Sequence, residues 1–454
     1  MSAYFILAVI SLYAMRSYLR KNSNEYFEDL LRSPLAPKVS IIAPAFNEQL
    51  SIVENIRSLL SLHYNKYDII IVNDGSKDNT LQLMIDAYDL EIVEEEPTSE
   101  LAHKPVNNVY RSKKRAYRKL VVIDKENGGK ADALNAGITY SDAELIACVD
   151  VDCVIEDDAL LRMVKPYLSA NDHKVIAVGG VIRIANNCEI KNGRLIKVRL
   201  AKNWLATFQT LEYIRAFLLG RMAWAHLDGL LIISGAFGMF DRKLVIKVGG
   251  YDHKTVGEDM ELVVRLRKYM AEKEAPYKVA YVPDPLCWTE APEDLSTFIR
   301  QRNRWTRGTI ETLSFHKEIF LRPKFGLMGI LSYPFWFVFE WLAPLIEFFG
   351  LFYFIVIASL GLVYWSHFFL LILLVYVFAV LISWFALLME ETTYREYAQG
   401  GALLKLMFFA LLEPLIYHPI TVWGAVKGNI DKFILKKNSW GAQQRKGFSK
   451  TGKT

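Results

Sequence analysis

The chain has 454 residues, of which 52% are hydrophobic, and its formal net charge at pH 7 is +5. This length allows two or three domains, and the mild charge, without a long basic arm, indicates no nucleic acid among its partners. The four cysteines show no CxxC or Cys/His spacing, which argues against a structural zinc site or a disulfide framework and fits a reducing compartment.

Residues 1–21 predict an N-terminal transmembrane helix. The apolar run at residues 3–15 precedes Arg16, Arg20 and Lys21, and basic residues mark the cytoplasmic side of a span. A secretory signal peptide is one alternative, but its positive charges would precede the apolar run and a cleavage site of small residues would follow it. A buried helix is the other alternative. We expect an anchor whose following domain lies in the cytoplasm.

Residues 38–295 predict an α/β domain. Near-continuous apolar runs, such as VSIIAPA and YDIIIV, alternate with apolar residues at helical spacing, which favours a parallel sheet covered by helices on both faces. Ligands of such sheets bind at the carboxyl ends of the strands, where Glu48 and Asp74 lie. An Asp-Gly pair after a strand is often only a turn. The charged stretch at residues 94–119 predicts a solvated loop or hairpin.

Two further motifs of this domain predict an anion site and a metal site. A Gly-Gly turn places Lys130 at the start of a helix, where backbone amides and a lysine favour an anion. Asp150 and Asp152 end the next strand, and residues at i and i+2 of a strand point the same way. Two such carboxylates need a cation between them, and Mg²⁺ or Mn²⁺ prefers oxygen ligands. The alternative is an acidic turn that caps the next helix.

The second half of the domain contains an aromatic amphipathic stretch at residues 202–240, which predicts either a helix along the membrane face or a core helix. Ser234 and Gly235 follow, at a point where the backbone can approach a ligand closely. Glu258 and Asp259 then open another helix. Both can be helix caps, and the alternative is that one of them is a general base.

An interfacial helix is predicted over residues 296–322. Its segment FIRQRNRWTRG carries four arginines just before the chain becomes strongly apolar. Membrane-adjacent arginines commonly mark the cytoplasmic side or meet anionic lipid head groups. The alternative is that Gln301, Arg304 and Trp305 point inward, toward a ligand with phosphate and sugar faces.

Residues 325–425 predict transmembrane helices. The run at residues 367–389 is uncharged and long enough to cross the hydrocarbon. The run at residues 326–365 is interrupted by two prolines and two glutamates, which predicts two spans, or an interfacial helix followed by one span. Residues 426–454 form a basic tail, which we expect in the cytoplasm with the domain. Because the domain and the tail would lie on the same side of the membrane, the number of crossings between them must be even, and we expect four.

Ionisable residues at membrane depth are costly unless they face protein or a water-filled path. Glu340 and Glu347 are therefore either site residues that line a path for a sugar chain, or residues that snorkel and make helix–helix hydrogen bonds. The sequence leaves both possibilities open.

In chain order, the motifs PAFNE, VNDGS, NGGKADALNAG, DVD, GED and QRNRW closely resemble those of the membrane-embedded, processive family-2 glycosyltransferases. These include cellulose, chitin, hyaluronan and poly-N-acetylglucosamine synthases. The resemblance implies an α/β GT-A (Rossmann-like) catalytic domain in the cytoplasm plus an α-helical transmembrane region, in a multi-pass protein of the cell membrane. It also implies inverting, metal-dependent transfer from a UDP-sugar to a growing β-linked polysaccharide that passes across the membrane, with UDP-N-acetylglucosamine as a candidate donor.

The resemblance further implies a role for each motif residue. Asp259 would be the catalytic base. The donor nucleotide would be bound by Glu48, Asp74, Lys130, Asp150, Gln301 and Arg304, and Asp150 and Asp152 would hold Mg²⁺ or Mn²⁺. The acceptor would lie against Ser234, Gly235 and Trp305. The tail segment SWGAQQRKGF resembles a gating motif through Trp440 and Arg445, although two extra residues separate Gly441 from Arg445.

Two other functions compete with polysaccharide synthesis. The enzyme alternative transfers a single sugar to a lipid acceptor and forms a glycolipid. The non-enzyme alternative is a membrane transporter or scaffold with a degenerate nucleotide fold, which the presence of all three motif aspartates disfavours. The sequence does not identify an export partner, and the lipid bilayer is its expected surrounding.

Overall fold

The computed structural model describes residues 1–22, 33–397 and 400–436. The centre of the molecule is a mixed β-sheet. In chain order the strands are β1 Val39–Ala45, β2 Tyr67–Asp74, β3 Leu90–Val93, β4 Val106–Ser112, β5 Leu120–Lys125, β6 Leu145–Val149, β7 Val154–Ile155, β8 Lys174–Ile184, β9 Glu189–Lys191, β10 Arg194–Lys197, β11 Phe237–Asp241 and β12 Tyr277–Thr289. Ten of them form one sheet in the order β3-β4-β5-β2-β1-β6-β11-β8-β12-β7, and β9 pairs with β10 separately.

The middle of the sheet is parallel and apolar on both faces. β1 pairs in parallel with β2 and β6, and β2 with β5. Ile69 and Ile71 of β2 pack into one hydrophobic cluster, and Ile70 and Val72 pack into the other. This explains the continuous apolar runs, because a strand buried on both faces has no polar side. The sheet is not parallel throughout, since β11 runs antiparallel between β6 and β8, and the charged stretch contributes β4, which pairs antiparallel with β3 as a hairpin.

Helices cover both faces of the sheet and connect it to the apolar region. A bridging helix runs from Trp204–Arg215 through the π-helical turn Ala216–Arg221 into Met222–His226. Its Leu211 and Ile214 are buried in the core of the domain, so the prediction of a core helix is confirmed. The remaining helices of the domain are Ile52–Leu60, Thr80–Tyr88, Lys130–Tyr140, Ala159–Leu168, Arg242–Lys247 and Glu258–Glu272, with a 3-10 turn at Arg115–Tyr117.

The predicted interfacial helix is Leu295–Phe315. We call it the acceptor helix, after the role that the sequence resemblance implies for its Trp305. The side chain of Asp294 caps its start by accepting a hydrogen bond from the Thr297 backbone N–H at 2.8 Å. After its end come two 3-10 turns, Lys317–Ile319 and Pro323–Phe325.

Four helices among the described residues are long and apolar enough to cross a membrane: Ser2–Asn22, Met328–Ser359, Trp365–Thr393 and Ala402–Ile434. We call the first the N-terminal helix, the middle two the hairpin, and the last the C-terminal helix. In the described part of the chain three of these helices follow the domain, not the four that the sequence predicts.

The prolines explain why the predicted number of helices differs from the observed one. Pro334 and Pro344 were expected to divide the run at residues 326–365. Instead, π-helical turns at Met328–Ser332 and Trp336–Leu342 lie beside these prolines, and the helix continues through them. A π-helical turn interrupts the regular hydrogen-bond ladder where a proline cannot donate. The run therefore forms one long helix.

The C-terminal helix touches the domain at both of its ends. Near its start, Lys405 Nζ donates to the Ala201 carbonyl at 3.1 Å. Near its end, Lys432 Nζ lies 2.7 Å from Glu311 Oε1 of the acceptor helix. Between these points it packs on the bridging helix and the acceptor helix, so it lies along the surface of the domain rather than projecting from it.

The N-terminal helix also packs on the domain along its length. Its first turns contact the bridging helix and the start of the hairpin, and its last turns contact β12 and helix Ala159–Leu168. The contacts, in chain order, are the Tyr4 ring on Phe335, Ser11 Oγ to the Leu218 carbonyl, Tyr18 with Asp284, and Asn22 with Lys165. In the first helix of the hairpin none of the residues between Ala343 and Ser359 is buried. The second helix is buried only toward its end, between Val380 and Glu390, where Glu390 pairs with Arg183 of β8.

Candidate active site

The predicted site residues of the described chain line a single cavity. It has a volume of about 2620 Å³ and extends from the carboxyl edge of the sheet to the hairpin. The register of the strands explains the first half of this arrangement, because β1, β2 and β5 end side by side, with Ala45 beside Asn73 and Asp74 beside Lys125. The predicted residues that line this cavity are Glu48, Asp74, Lys130, Asp150, Asp152, Ser234, Gly235, Asp259, Gln301, Arg304 and Trp305.

The buried carboxylate of Asp74 organises the glycine-rich loop. Its Oδ1 accepts hydrogen bonds from Lys125 Nζ and the Gly128 N–H, each at 2.9 Å. Its Oδ2 accepts from the Gly129 N–H at 2.7 Å and from Asn127 Nδ2 at 3.2 Å. These bonds use the four lone-pair positions of the carboxylate. Asp74 therefore shapes the loop before Lys130, and its direct contact with a nucleoside stays a prediction.

Glu48 lines the same cavity. It is half-buried in the loop after β1, and its backbone N–H donates to Thr80 Oγ1 at 2.8 Å. This bond fixes the loop to the start of helix Thr80–Tyr88. The predicted contact of Glu48 with the donor nucleotide remains a prediction.

Lys130 lies at the centre of a group of carboxylates. Its Nζ is 2.6 Å from Asp150 Oδ1 and 3.6 Å from Glu258 Oε1. Burial favours the neutral amine, but the charges of Asp150, Glu258 and Asp259 outweigh it and raise the pKa of Lys130 above its usual value. Lys130 is therefore a cation at the point where the sequence predicts a diphosphate.

Gly235 allows Lys130 and Asp259 to approach the same stretch of backbone. The Gly235 carbonyl accepts from Lys130 Nζ at 3.2 Å, and its N–H donates to Asp259 Oδ2 at 3.1 Å. A Cβ at this position would lie 2.9 Å from Lys130 Nζ and 3.4 Å from Asp259 Oδ2. The absence of a side chain at Gly235 thus allows Lys130 and Asp259 to contact the same residue, as the predicted close approach requires.

The oxygens of Asp150 and Asp152 fit a hard divalent cation. Ligand atoms of these two residues and of Cys153 all lie within 4.8 Å of one another. The hydrogen bond with Cys287 and burial raise the pKa of the Cys153 thiol well above its usual value, so it is a neutral thiol and a poor ligand for Mg²⁺ or Mn²⁺. The donor set for such an ion is therefore the two carboxylates, with further oxygens from substrate and water.

The acceptor helix presents polar side chains to the same cavity. Gln301 Oε1 is buried and has no hydrogen-bond partner among the described residues. Arg304 is half-buried, and its charge acts on Glu258. Burial raises the pKa of Glu258, with Lys130 and Arg304 opposing that shift. An amide oxygen and a guanidinium at this position are suited to the hydroxyl and phosphate groups of a nucleotide sugar.

Sequence reasoning missed the residues that support Trp305. Arg302 donates to Glu212 through two bonds of 2.6 and 2.8 Å and to the Tyr417 hydroxyl at 3.1 Å. Its guanidinium also lies over the Trp305 ring. The only sequence signal is the i, i+3 spacing of Arg302 and Trp305, which places them on one helix face; the partners come from distant parts of the chain.

Beyond Trp305 the cavity continues between the hairpin and the C-terminal helix. Its wall there contains apolar side chains, among them Leu351, Ile372 and Val375, and also Glu340 and Glu347. Glu347 pairs with His418 at 2.6 Å. The sequence left open whether Glu347 lines a path or makes a helix–helix contact. In the structure it does both, because it pairs with His418 and also lines the cavity.

The predicted gating residues Trp440 and Arg445 lie outside the described residues. All four cysteines are buried.

A model of the family described as glycosyltransferase-like family 2 matches residues 37–308 of the chain. Among curated proteins, the poly-β-1,6-N-acetyl-D-glucosamine synthase of Staphylococcus aureus strain COL is 28% identical over 340 residues, which are 74% of this chain and 67% of that protein. The synthase of the same name from Staphylococcus epidermidis is 30% identical over 275 residues, 61% of this chain and 55% of that protein.

Among solved structures, the mannosyltransferase PcManGT from Pyrobaculum calidifontis in complex with GDP-Man and Mn²⁺ has a TM-score of 0.51. The alignment covers 96% of this chain and 97% of that chain, with 16% sequence identity. At this identity the similarity is evidence of fold alone. The predicted fold class, a GT-A α/β domain with an α-helical apolar region, is confirmed.

Proposed function

This chain belongs to the family-2 glycosyltransferases, and from that premise we propose that it extends a β-linked polysaccharide with N-acetylglucosamine taken from UDP-N-acetylglucosamine. The choice of sugar is supported by the synthases from Staphylococcus, whose names state a poly-β-1,6-N-acetyl-D-glucosamine product. The observation that carries the proposal is the position of Asp259 and Lys130 on either side of Gly235, in a cavity that also contains Trp305.

In the proposed reaction Asp259 is the general base. It takes the proton from an acceptor hydroxyl while that oxygen attacks the anomeric carbon of the donor sugar. The bond between the anomeric carbon and the diphosphate oxygen breaks on the opposite face, so the configuration inverts and UDP leaves. A positioned base of this kind contributes roughly 10²–10⁴-fold to the rate.

The other cavity residues bind and orient the two substrates. Lys130, Gln301 and Arg304 bind the diphosphate, and their charges and hydrogen bonds stabilise it as it leaves. A Mg²⁺ or Mn²⁺ ion held by Asp150 and Asp152 would neutralise further charge on this leaving group. Glu48 contacts the nucleoside, and Asp74 acts through the loop that its carboxylate holds.

The acceptor is placed by residues on the membrane side of the base. Ser234 and Gly235 form the backbone next to the anomeric carbon, and Trp305 offers a ring face to the terminal sugar. From the resemblance of the tail segment to a gating motif, we also propose a gating role for Trp440 and Arg445.

Incubation of the purified protein with a panel of nucleotide sugars tests the proposal. We expect a polymer only with UDP-N-acetylglucosamine, sized on a gel and degraded by an enzyme specific for the β-linked polymer. Polymer formation from another nucleotide sugar instead would refute the assigned donor, and the absence of any transfer would refute the proposed function.

Transfer of one sugar to a lipid acceptor is the second candidate. It is favoured by the apolar wall of the outer cavity, where Leu351, Ile372 and Val375 line the space between the helices, because such a wall suits a hydrocarbon chain. The same incubation separates the two candidates: a lipid acceptor gives an organic-extractable product carrying one sugar, whereas polysaccharide synthesis gives a product whose length grows with time.

The four apolar helices support a membrane protein, and we propose a topology from the contacts that each helix makes with the domain. The hairpin crosses the bilayer twice. We propose that the N-terminal and C-terminal helices lie at the cytoplasmic membrane surface, because Ser11 to Asn22 and Lys405 to Lys432 contact the domain or the acceptor helix and leave too few residues to cross. Two crossings place the domain and the basic tail on the same side of the membrane, as the positive charge of the tail predicts. The N-terminal helix is thus an anchor on one face of the bilayer rather than a span.

Single cysteines at Ser2, Tyr364 and Lys436 test this topology with a membrane-impermeant maleimide. Tyr364 lies between the two helices of the hairpin and is 81% exposed. We expect labelling of Tyr364→Cys in intact cells, and of Ser2→Cys and Lys436→Cys only after the membrane is opened. Labelling of Ser2→Cys from outside would mean that the N-terminal helix crosses.

A further inference from the structure

A buried carboxylate on the acceptor helix holds the loop that precedes the proposed base. Glu311 is 2% exposed, and its Oε2 accepts hydrogen bonds from Thr255 Oγ1 at 3.0 Å and from the Val256 N–H at 2.9 Å. Thr255 Oγ1 in turn accepts from the Gly257 N–H at 3.0 Å. Asp259 follows two residues later, at the start of its helix. Glu311 thereby fixes the backbone from which Asp259 projects.

The same loop touches the acceptor helix directly through two glycines. A Cβ at Gly257 would lie 2.6 Å from Gly308 Cα, and a Cβ at Gly308 would lie 2.7 Å from Gly257 Cα. No side chain can separate the two backbones at this point. Gly308 lies four residues after Arg304, on the same face of the helix. The loop before Asp259 therefore contacts the helix face that carries Arg304.

The charge of Glu311 is balanced by the C-terminal helix. Lys432 Nζ lies 2.7 Å from Glu311 Oε1, and a carboxylate buried to this degree is costly without a cation. Asn303 donates to Asp431 at 2.8 Å beside this pair. A Cβ at Gly428 would lie 2.9 Å from Thr306 Cβ, so the two helices also pack closely here.

We infer that Glu311 is a positioning residue. It couples the position of the C-terminal helix against the acceptor helix to the position of the Asp259 carboxylate. The inference rests on the proposed function, because it assumes that Asp259 is the base. It adds that catalysis depends on the position of a helix that lies at the membrane surface. A shift of that helix moves Lys432, and through Glu311 it releases the hydrogen bonds of Thr255 and Val256.

The test compares Glu311→Ala and Lys432→Met with wild type in three measurements: kcat and KM for the nucleotide sugar, the binding of UDP, and hydrogen exchange of the Val256 amide. We expect kcat to fall about 100-fold in Glu311→Ala and about 10-fold in Lys432→Met, since a displacement of about 1 Å costs on the order of 10²-fold. KM and UDP binding should change less than about twofold, because the donor contacts are intact. Val256 should exchange at least roughly 10-fold faster in both variants.

Three variants serve as controls. Lys427→Met removes an exposed lysine from the same helix, and Glu318→Gln removes the pair with Lys268 at the other end of helix Glu258–Glu272. Neither should alter kcat or the exchange of Val256. Lys432→Arg keeps the charge and should restore both values, which a general loss of stability would not explain.

The outcomes distinguish this inference from the proposed function. Unchanged exchange of Val256 in Glu311→Ala and Lys432→Met overturns the inference whether or not the protein is active. Unchanged kcat in both variants overturns it when wild type transfers sugar. Failure of wild type with every nucleotide sugar refutes the proposed function, while the exchange measurement still decides whether the C-terminal helix controls the loop.

Discussion

The guanidinium of Arg302 lies 4.2 Å from the centre of the Trp305 ring. Arg302 is held in place by Glu212 and Tyr417, whereas Trp305 remains 39% exposed. A cation over one ring face stabilises the indole, and the exposed part of the ring is directed to the cavity. Residues from three separate segments of the chain thus form a rigid, partly open aromatic surface beside the proposed base.

Replacing Trp305 by alanine should reduce acceptor extension more than donor hydrolysis, because in the proposed function the ring contacts the acceptor sugar and not the leaving group. A ring contact is worth about 0.5–1.5 kcal/mol beyond its buried area, so we expect an additional loss of about 3–10-fold in extension. Both rates are measured on one preparation, with Trp305→Phe as the variant that keeps a ring. Equal loss of the two rates would show that Trp305 is only a packing residue.

The change Asp259→Asn should abolish turnover and leave nucleotide binding nearly intact. Asparagine keeps the oxygen that accepts from the Gly235 N–H but cannot take up a proton, so kcat should fall by roughly 10²–10⁴-fold. Calorimetric titration with UDP checks the binding. Asp252→Asn, a change in the preceding loop, serves as the control and should be active. A parallel loss of UDP binding in Asp259→Asn would contradict the role of base.

Chelation of divalent ions should abolish transfer, and added Mn²⁺ or Mg²⁺ should restore it, because two adjacent carboxylates cannot bind an anionic diphosphate without a cation. Asp152→Asn should raise the Mn²⁺ concentration that is needed for half-maximal rate. Cys153→Ser should not, since its neutral thiol is a poor ligand for a hard ion. Full activity in excess EDTA would disprove the metal site.

Stability should depend on the ionisation of Glu156. Burial raises the pKa of Glu156 from 4.5 to about 7, although a hydrogen bond from Trp288 lowers it. Between these two values the folded protein keeps a proton that the unfolded chain has lost, so the free energy of unfolding falls as the pH rises through this window. Glutamine is neutral at every pH and can still accept the Trp288 N–H.

The change Glu156→Gln should therefore raise the free energy of unfolding by about 1–2 kcal/mol more at pH 8 than at pH 5, once solvent screening is included. Thermal unfolding of both proteins at the two pH values in one detergent measures this difference. An identical effect of the substitution at pH 5 and pH 8 would mean that Glu156 does not titrate in this range.

Several motif residues were predictable because they lie just after a strand or at the start of a helix. Asp150 and Asp152 lie in the turn that follows β6, and Lys130 opens its helix, so the local pattern of apolar and polar residues places them at one edge of the sheet. The contacts that hold site side chains in place were not predictable in the same way. Arg302 requires Glu212 and Tyr417, which are separated from it by 90 and 115 positions, and no local pattern encodes such a pairing.

The apolar region shows the limit of sequence reasoning most clearly. Its hydropathy predicts transmembrane helices within residues 325–425, but it does not determine which face of each helix meets protein. Pro334 and Pro344 predicted breaks, yet π-helical turns carry the helix past them. The C-terminal helix is apolar enough to span a membrane and nevertheless packs along the domain.

Local patterns in the sequence are sufficient to predict the α/β domain, the order of its motifs and the chemical types of the site residues, because backbone periodicity and strand ends are local properties. The cavity shared by Asp259, Lys130 and Trp305, and the link through Glu311 between the C-terminal helix and the loop before Asp259, become visible only in the folded structure. These arrangements depend on packing and charge pairing between segments far apart in the chain, and such contacts exist only after the chain has folded.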